Sequence, residues 1–226
     1  MTRFSKNTLK GIVVCIPSIC FMLLFAASLF SCEEHEDEFD HSISRRVSVG
    51  DILLEDSRIV SHLLYDSEKY KAAGVVFYVS QDTAWVVGTK ELGNYAYADS
   101  MATISDIESD IQALCGVENT ASLLLSEVST PAAEAVANFQ SPLSSWALPS
   151  CGELKRLSEN LPIISSAMKV AGGDEFYDCQ YLSSTQDGSS SESEQMYYLS
   201  VTLRNGFVTS TIKSTPGRVR PVLRIR

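Results

Sequence analysis

The apolar positions of this chain change period twice. "VGDILL" (49–54) alternates, Glu55-Asp56-Ser57 supplies a turn and "RIV" (58–60) continues, which predicts a short β-ribbon over 49–60. Residues 66–71 are polar and read as loop. "AGVVFYV" (73–79) and "TAWVVGT" (83–89) flank Ser80-Gln81-Asp82 and predict a hairpin. Both runs are almost wholly apolar, so the pair belongs in the buried centre of a sheet.

The middle of the chain then takes helical spacing. Ile104, Ile107, Ile111 and Leu114 lie three to four apart and predict a helix over 105–115 that ends at Gly116. Asn119 is placed to cap a second helix through Leu125. Thr130-Pro131 puts a capping residue before a proline at the first helical position, and that helix runs to about Phe139. Ser150-Cys151-Gly152-Glu153 fits a capping box, opening a helix with Leu154 and Leu157 on its inner face. A short helix over 163–170 stops at Gly172-Gly173.

Extended structure returns from Tyr181. Residues 187–194 (DGSSSESE) form a polar loop. Met196 to Leu203 and Phe207 to Ile212 flank Arg204-Asn205-Gly206, and Asn-Gly predicts a hairpin through a type I′ turn. Arg218 to Ile225 predicts one final alternating strand. Strands, then helices, then strands argue for an α+β fold rather than a parallel sheet.

The first 31 residues differ from everything that follows. Arg3, Lys6 and Lys10 precede an uncharged apolar run, Gly11 to Ser31, which ends in Leu29-Phe30-Ser31-Cys32. This resembles a bacterial lipoprotein signal, with residues 1–31 removed and Cys32 lipidated; Phe30 is bulkier than the usual residue at its position. The alternative is an uncleaved anchor, since 21 apolar residues can span a bilayer. Both readings export the rest of the chain. Six of the eight residues from Glu33 to Asp40 are acidic. Like charges repel, so residues 32–48 read as an extended tether. An acidic stretch just behind a lipidated cysteine also resembles the surface-export signal of Bacteroidetes lipoproteins. The expected location is the outer membrane, at the cell surface or on its periplasmic face.

The 195 residues after Ser31 carry 15 basic and 28 acidic side chains. That balance argues against nucleic acid and anionic head groups as partners. Residues 49–226 suffice for one domain with its own core. Cys115, Cys151 and Cys179 remain beyond the anchor, an odd number. Cys151 and Cys179 flank one helical segment and are the candidate bridge; three buried thiols are the equal alternative.

Four pieces together resemble one family: "GVENTASLL" (116–124), "WALPSCGEL" (146–154), "YLSST" (181–185) and "RVRPVL" (218–223). Their order and spacing resemble the Lcl C-terminal domain, a module of exported bacterial proteins and Bacteroidetes lipoproteins. The resemblance spans nearly all of 49–226. It implies a C-type lectin-like fold, a twisted mixed or antiparallel sheet with flanking helices. It also implies a non-catalytic binding role, since a surface adhesin of this family binds host glycans. Leu182 stands where the family usually has Trp, which weakens a carbohydrate platform at that point. Trp146, Leu148 and Pro149 also read plainly as a helix entry and core, Gly152 and Glu153 as its cap. Ser183, Ser184 and Thr185 read as partners for buried backbone groups, and Arg220 as the holder of a carboxylate across the sheet.

Candidate chemistry is sparse. Of the three histidines, His35 and His41 lie in the tether and only His62 lies in the domain. No Cys/His spacing suggests zinc, no glycine-rich phosphate loop appears and nothing near His62 resembles a nucleophile elbow. Asp187, Glu192 and Glu194 lack a recognised calcium order. The expectation is therefore no enzyme, no metal and no cofactor. The candidate ligand contacts are Ser183, Ser184, Asp187, Tyr197 and Tyr198, for a glycan or envelope polymer; tyrosine offers area and a polar tip at low entropic cost. The alternative is an accessory or tip subunit of a fimbria-like surface assembly, which a long exposed strand edge would favour.

Overall fold

Consecutive residues of the hairpin at 72–88 enter two different hydrophobic cores. The computed structural model describes residues 46–226. The signal segment, Cys32 and most of the acidic tether lie outside the described residues.

The hairpin is β3 (Ala72–Ser80) and β4 (Thr83–Gly88). β1 (Ile52–Leu54) pairs with β3 on one side and with β2 (Ile59–Val60) on the other. β10 (Val222–Ile225) pairs with β4. The order β10-β4-β3-β1-β2 makes an antiparallel sheet of five strands. Ile52, Leu54, Val75, Phe77, Trp85 and Val87 share one core; Leu53, Val76, Ala84 and Val86 belong to the other. Both faces are covered, which is why these runs are apolar throughout rather than alternating.

A second sheet has the order β5-β9-β6-β7-β8. Its strands are β5 (Gly93–Tyr95), β6 (Gln180–Gln186), β7 (Tyr197–Thr202), β8 (Phe207–Ile212) and β9 (Gly217–Val219). It is mixed, because β6 and β9 run parallel while the other pairs are antiparallel. The predicted final strand is two: Arg220-Pro221 breaks it, leaving β9 in the mixed sheet and β10 in the antiparallel one. Proline has no N–H for a ladder. Its carbonyl still accepts from Gly88 N at 2.9 Å.

The helices are α1 (Gly116–Leu125), α2 (Pro131–Ala137), α3 (Cys151–Glu159), α4 (Leu161–Val170) and α5 (Ser191–Met196). Ten strands and five helices among the described residues make the expected α+β fold. None of these helices is long and apolar enough to cross a membrane.

The capping box at α3 forms as predicted. Ser150 Oγ accepts from Glu153 N at 3.2 Å, and Glu153 Oε2 accepts from Ser150 N at 2.9 Å. Leu154 and Leu157 are fully buried. Gly152 packs against the carbonyls of Gln112 and Ala113, where a Cβ would overlap backbone.

The helix predicted at 105–115 is absent; the segment is irregular, and Gly116 begins a helix instead of ending one. Local side chains offer the backbone other partners. Glu108 Oε1 accepts from Asp110 N and Asp110 Oδ1 from Gln112 N, both at 2.9 Å. Asn119 caps nothing. It is buried inside α1, where its side chain accepts from Glu108 N and donates to Glu108 O. The 187–194 loop is likewise shorter than predicted, since Ser190 Oγ caps α5 by accepting from Ser193 N at 3.0 Å.

Candidate functional site

β8 is the terminal strand of the mixed sheet. It follows β7 through Leu203–Gly206, a four-residue connection in which Gly206 alone has positive φ (68°). The predicted type I′ turn needs positive φ at two central residues, so the hairpin is right and the turn is not. Asn205 instead uses its side chain: Oδ1 accepts from Phe207 N at 3.1 Å.

The ladder phase shows which backbone groups β8 leaves outside. Lys213 N donates to Met196 O at 3.0 Å, so 213 and 196 form a hydrogen-bonded pair. Alternation then turns Thr211 and Thr209 toward β7, and Val208, Ser210 and Ile212 away from it. The strand reads FVTSTI, with no charge and no proline, and its pairing with β7 has no bulge. Phe207 is 66% exposed and Ile212 40%. Edge strands usually carry lysine, proline or a bulge that blocks further pairing. This one carries none of them.

The five predicted contact residues separate by burial. Ser183, Ser184 and Tyr198 are closed to solvent, which corrects their assignment as surface contacts. Ser183 Oγ donates to Leu199 O at 2.6 Å and accepts from Thr185 N at 3.2 Å. Thr185 Oγ1 accepts from Cys151 N at 3.0 Å, tying β6 to the first turn of α3. These two satisfy backbone, as their residue types predict; the Ser184 hydroxyl has no hydrogen-bond partner among the described residues. Tyr198 stacks on Tyr97 with ring centroids 5.4 Å apart. Asp187 is buried as well, which corrects its assignment too, and only Tyr197 is half-buried. Asp187 Oδ2 accepts from Ser210 Oγ at 2.6 Å, which joins the end of β6 to β8. Burial raises its carboxyl, but hydrogen bonds from Ser210 and Ser189 outweigh that and hold it below the usual range.

Behind the edge lies a buried polar cluster that the sequence reading missed. Gln186 holds both backbone groups of Ile104: Oε1 accepts from Ile104 N at 3.0 Å and Nε2 donates to Ile104 O at 2.8 Å. Lys213 is fully buried, with Nζ donating to Gln186 Oε1 at 2.5 Å and to Ala102 O at 2.6 Å. Its Nζ lies 5.5 Å from the centroid of the Tyr97 ring. Desolvation pulls this amine down to about 8, against an opposing pull from Glu194.

A second cluster sits where β9 leaves the mixed sheet. Arg218 pairs with Glu91, which also accepts from Tyr181 Oη at 3.1 Å. The Arg218 guanidinium lies 3.8 Å from the centroid of Tyr177. Arg220 is buried and donates to the backbone carbonyl of Asp174 at 2.5 Å, not to a carboxylate as expected. The Asp174 carboxylate is taken by Glu91 N and Lys90 Nζ. Phe176 covers the Arg220 guanidinium at 4.6 Å from its ring centroid.

Cys115, Cys151 and Cys179 are free thiols, so the candidate bridge between Cys151 and Cys179 does not form. Cys151 is fully buried in the first core, where it acts as a small apolar side chain. Burial pushes the Cys151 thiol up to about 11 and the Cys115 thiol to about 12, which leaves neither reactive as a thiolate. Among the described residues no three His, Cys, Asp or Glu side chains gather as metal ligands. His62 packs near Gly50 and Ile163. An open groove of about 530 Å³ runs between β5 and α2, lined by Leu92, Tyr95, Phe139 and polar Glu134, Asn138 and Gln140.

No family model matches the chain, and no curated protein matches it. A solved structure does: a fimbrial protein from Bacteroides ovatus, 14% identical, with a TM-score of 0.60 over 78% of this chain. The two share a fold. The match covers 48% of the fimbrial chain, so this chain corresponds to about half of that protein's length.

Proposed function

We propose that this chain is a lipid-anchored, exported subunit of a fimbria-like surface assembly, held to the outer membrane through Cys32. The observation that carries this reading is the free edge of β8. Six residues carry neither charge nor proline, and Val208 and Ser210 turn their N–H and C=O away from β7, the kind of surface that accepts an added strand; at the end of the strand Ile212 O already accepts from Thr215 N at 2.8 Å. The likeness of fold to a fimbrial protein supports it. The lipoprotein-like signal and acidic tether supply the route to the surface. The role is non-catalytic, and the acidic balance of the mature chain disfavours nucleic acid as a partner.

Glycan adhesion is the second reading. The groove between β5 and α2 supports it, because Tyr95 and Phe139 offer aromatic surface beside amide and carboxylate groups. It also agrees with the Lcl C-terminal resemblance.

Immunogold labelling of intact cells, with shearing of surface filaments, tests the assembly reading. Label on filaments and chain in the sheared fraction is the expected result. Chain confined to the cell interior, with unlabelled filaments, rules it out.

A further inference from the structure

We infer that Lys213 and Gln186 form an intramolecular amide cross-link, joining the end of β8 to the end of β6 across β7. Both residues are fully buried. The Lys213 amine lies 2.5 Å from Gln186 Oε1, and its other hydrogen bond is to the carbonyl of Ala102. No carboxylate is within ion-pair distance of it among the described residues. A buried ammonium held only by neutral acceptors is costly. An amide at the same place removes that charge.

The surroundings suit acyl transfer. Ile104 grips the Gln186 amide from both sides, so the group is fixed in one orientation. The Ile104 N–H, 3.0 Å from Oε1, points at the oxygen that gains negative charge when an amine attacks Cδ. Packing holds amine and amide together, which replaces a bimolecular encounter by a fixed one. Desolvation lowers the amine to about 8, so far more of it is neutral at pH 7 than of an exposed lysine. Tyr97 closes one side against water.

The step balances without an oxidant or a cofactor. The Nζ–Cδ bond forms and the Cδ–Nε2 bond breaks. The proton shed by Nζ passes to the departing nitrogen, which leaves as ammonia and takes up the second proton of the original ammonium. The chain loses one ammonia and one positive charge. The product clamps the edge strand β8 to β6 covalently, so force applied along the edge cannot peel the hairpin away.

Tryptic digestion of the denatured full-length chain, read by mass spectrometry, tests this directly. The expected result is one linked species that contains the Gln186 and Lys213 peptides and is lighter than their sum by one ammonia. Trypsin should fail to cut after Lys213, and the linked species should vanish in Lys213→Arg. Separate recovery of the two peptides at full mass, with cleavage after Lys213, overturns the inference. So does an ammonia loss that maps to any other pair. The wild-type reading decides the matter even if the variant fails to fold.

Discussion

The carboxylate of Glu153 occupies the space that a side chain at Gly116 would need. It accepts from Gly116 N at 3.3 Å and from Ser150 N at 2.9 Å, so one buried group closes the first turns of α1 and α3 together. A Cβ at 116 would collide with that carboxylate and approach Leu148 O. Gly116→Ala should therefore destabilise the chain by about 1–3 kcal/mol, despite alanine's better helix propensity. Urea unfolding measures it; an unchanged or raised midpoint contradicts the close fit.

The same carboxyl sets a pH dependence. Burial pushes Glu153 up to about 7, although hydrogen bonds from Ser150 and Gly116 pull the other way. In the unfolded chain it titrates near the ordinary glutamate value, so between about 4.5 and 7 the unfolded state has lost a proton that the folded state keeps. The contribution of Glu153 is full below that window and falls as pH rises through it, by about 3 kcal/mol in all. The stability difference between wild type and Glu153→Gln should shrink with rising pH by that order. A difference that grows with pH refutes the assignment.

Glu91 joins three partners that are distant in sequence: Arg218, Tyr181 and, through its own N–H, Asp174. Its side chain is 8% exposed while that of Arg218 is 27%. Glu91→Ala leaves a partly buried guanidinium without its carboxylate and should cost about 1–3 kcal/mol, below the range for fully buried pairs. Arg218→Met paired with Glu91→Ala should recover part of that loss in a double-mutant cycle. A loss no smaller in the double variant contradicts the coupling.

Ser184 carries a buried hydroxyl with no hydrogen-bond partner among the described residues. Its Ala variant removes an unsatisfied group and should be neutral or stabilising by up to about 1 kcal/mol. Thr185→Val removes the acceptor for Cys151 N and should instead destabilise. Thermal melts should show Thr185→Val lowered and Ser184→Ala unchanged or raised; a destabilised Ser184→Ala means that the hydroxyl has a partner.

Period and punctuation made much of the fold legible in the sequence. The hairpin at 72–88, the box at Ser150 and the proline at 131 are local features, and each forms where it was read. The failure at 105–115 is also local in origin: the Glu108 and Asp110 carboxylates accept from nearby N–H groups instead of leaving the backbone to continue a helix. The division of 218–225 between two sheets depends on what each half meets, which no period encodes. Lys213 and Gln186 escaped for a related reason. Each is polar at the end of a strand, where solvent is the default expectation, and only the packing of Tyr97 and residues 102–104 buries them. Parity offered one signal, since Lys213 lies on the same side of β8 as Thr209 and Thr211. Ser183 and Ser184 carry two readings in the sequence, ligand contact and partner of buried backbone: both are buried, Ser183 serves backbone, and the Ser184 hydroxyl has no partner among the described residues.

The free side of β8 is the centre of this account. Val208 turns its N–H away from β7, so Val208→Pro should remove an outward donor and leave the β7–β8 ladder intact. The decisive measurement is the amount of full-length chain in sheared surface filaments, for wild type and Val208→Pro, with melting temperature as the control for folding. Wild type present in the filaments and Val208→Pro folded but absent from them is the predicted result. Equal incorporation of both, or filaments that never contain the wild-type chain, contradicts assembly through this edge.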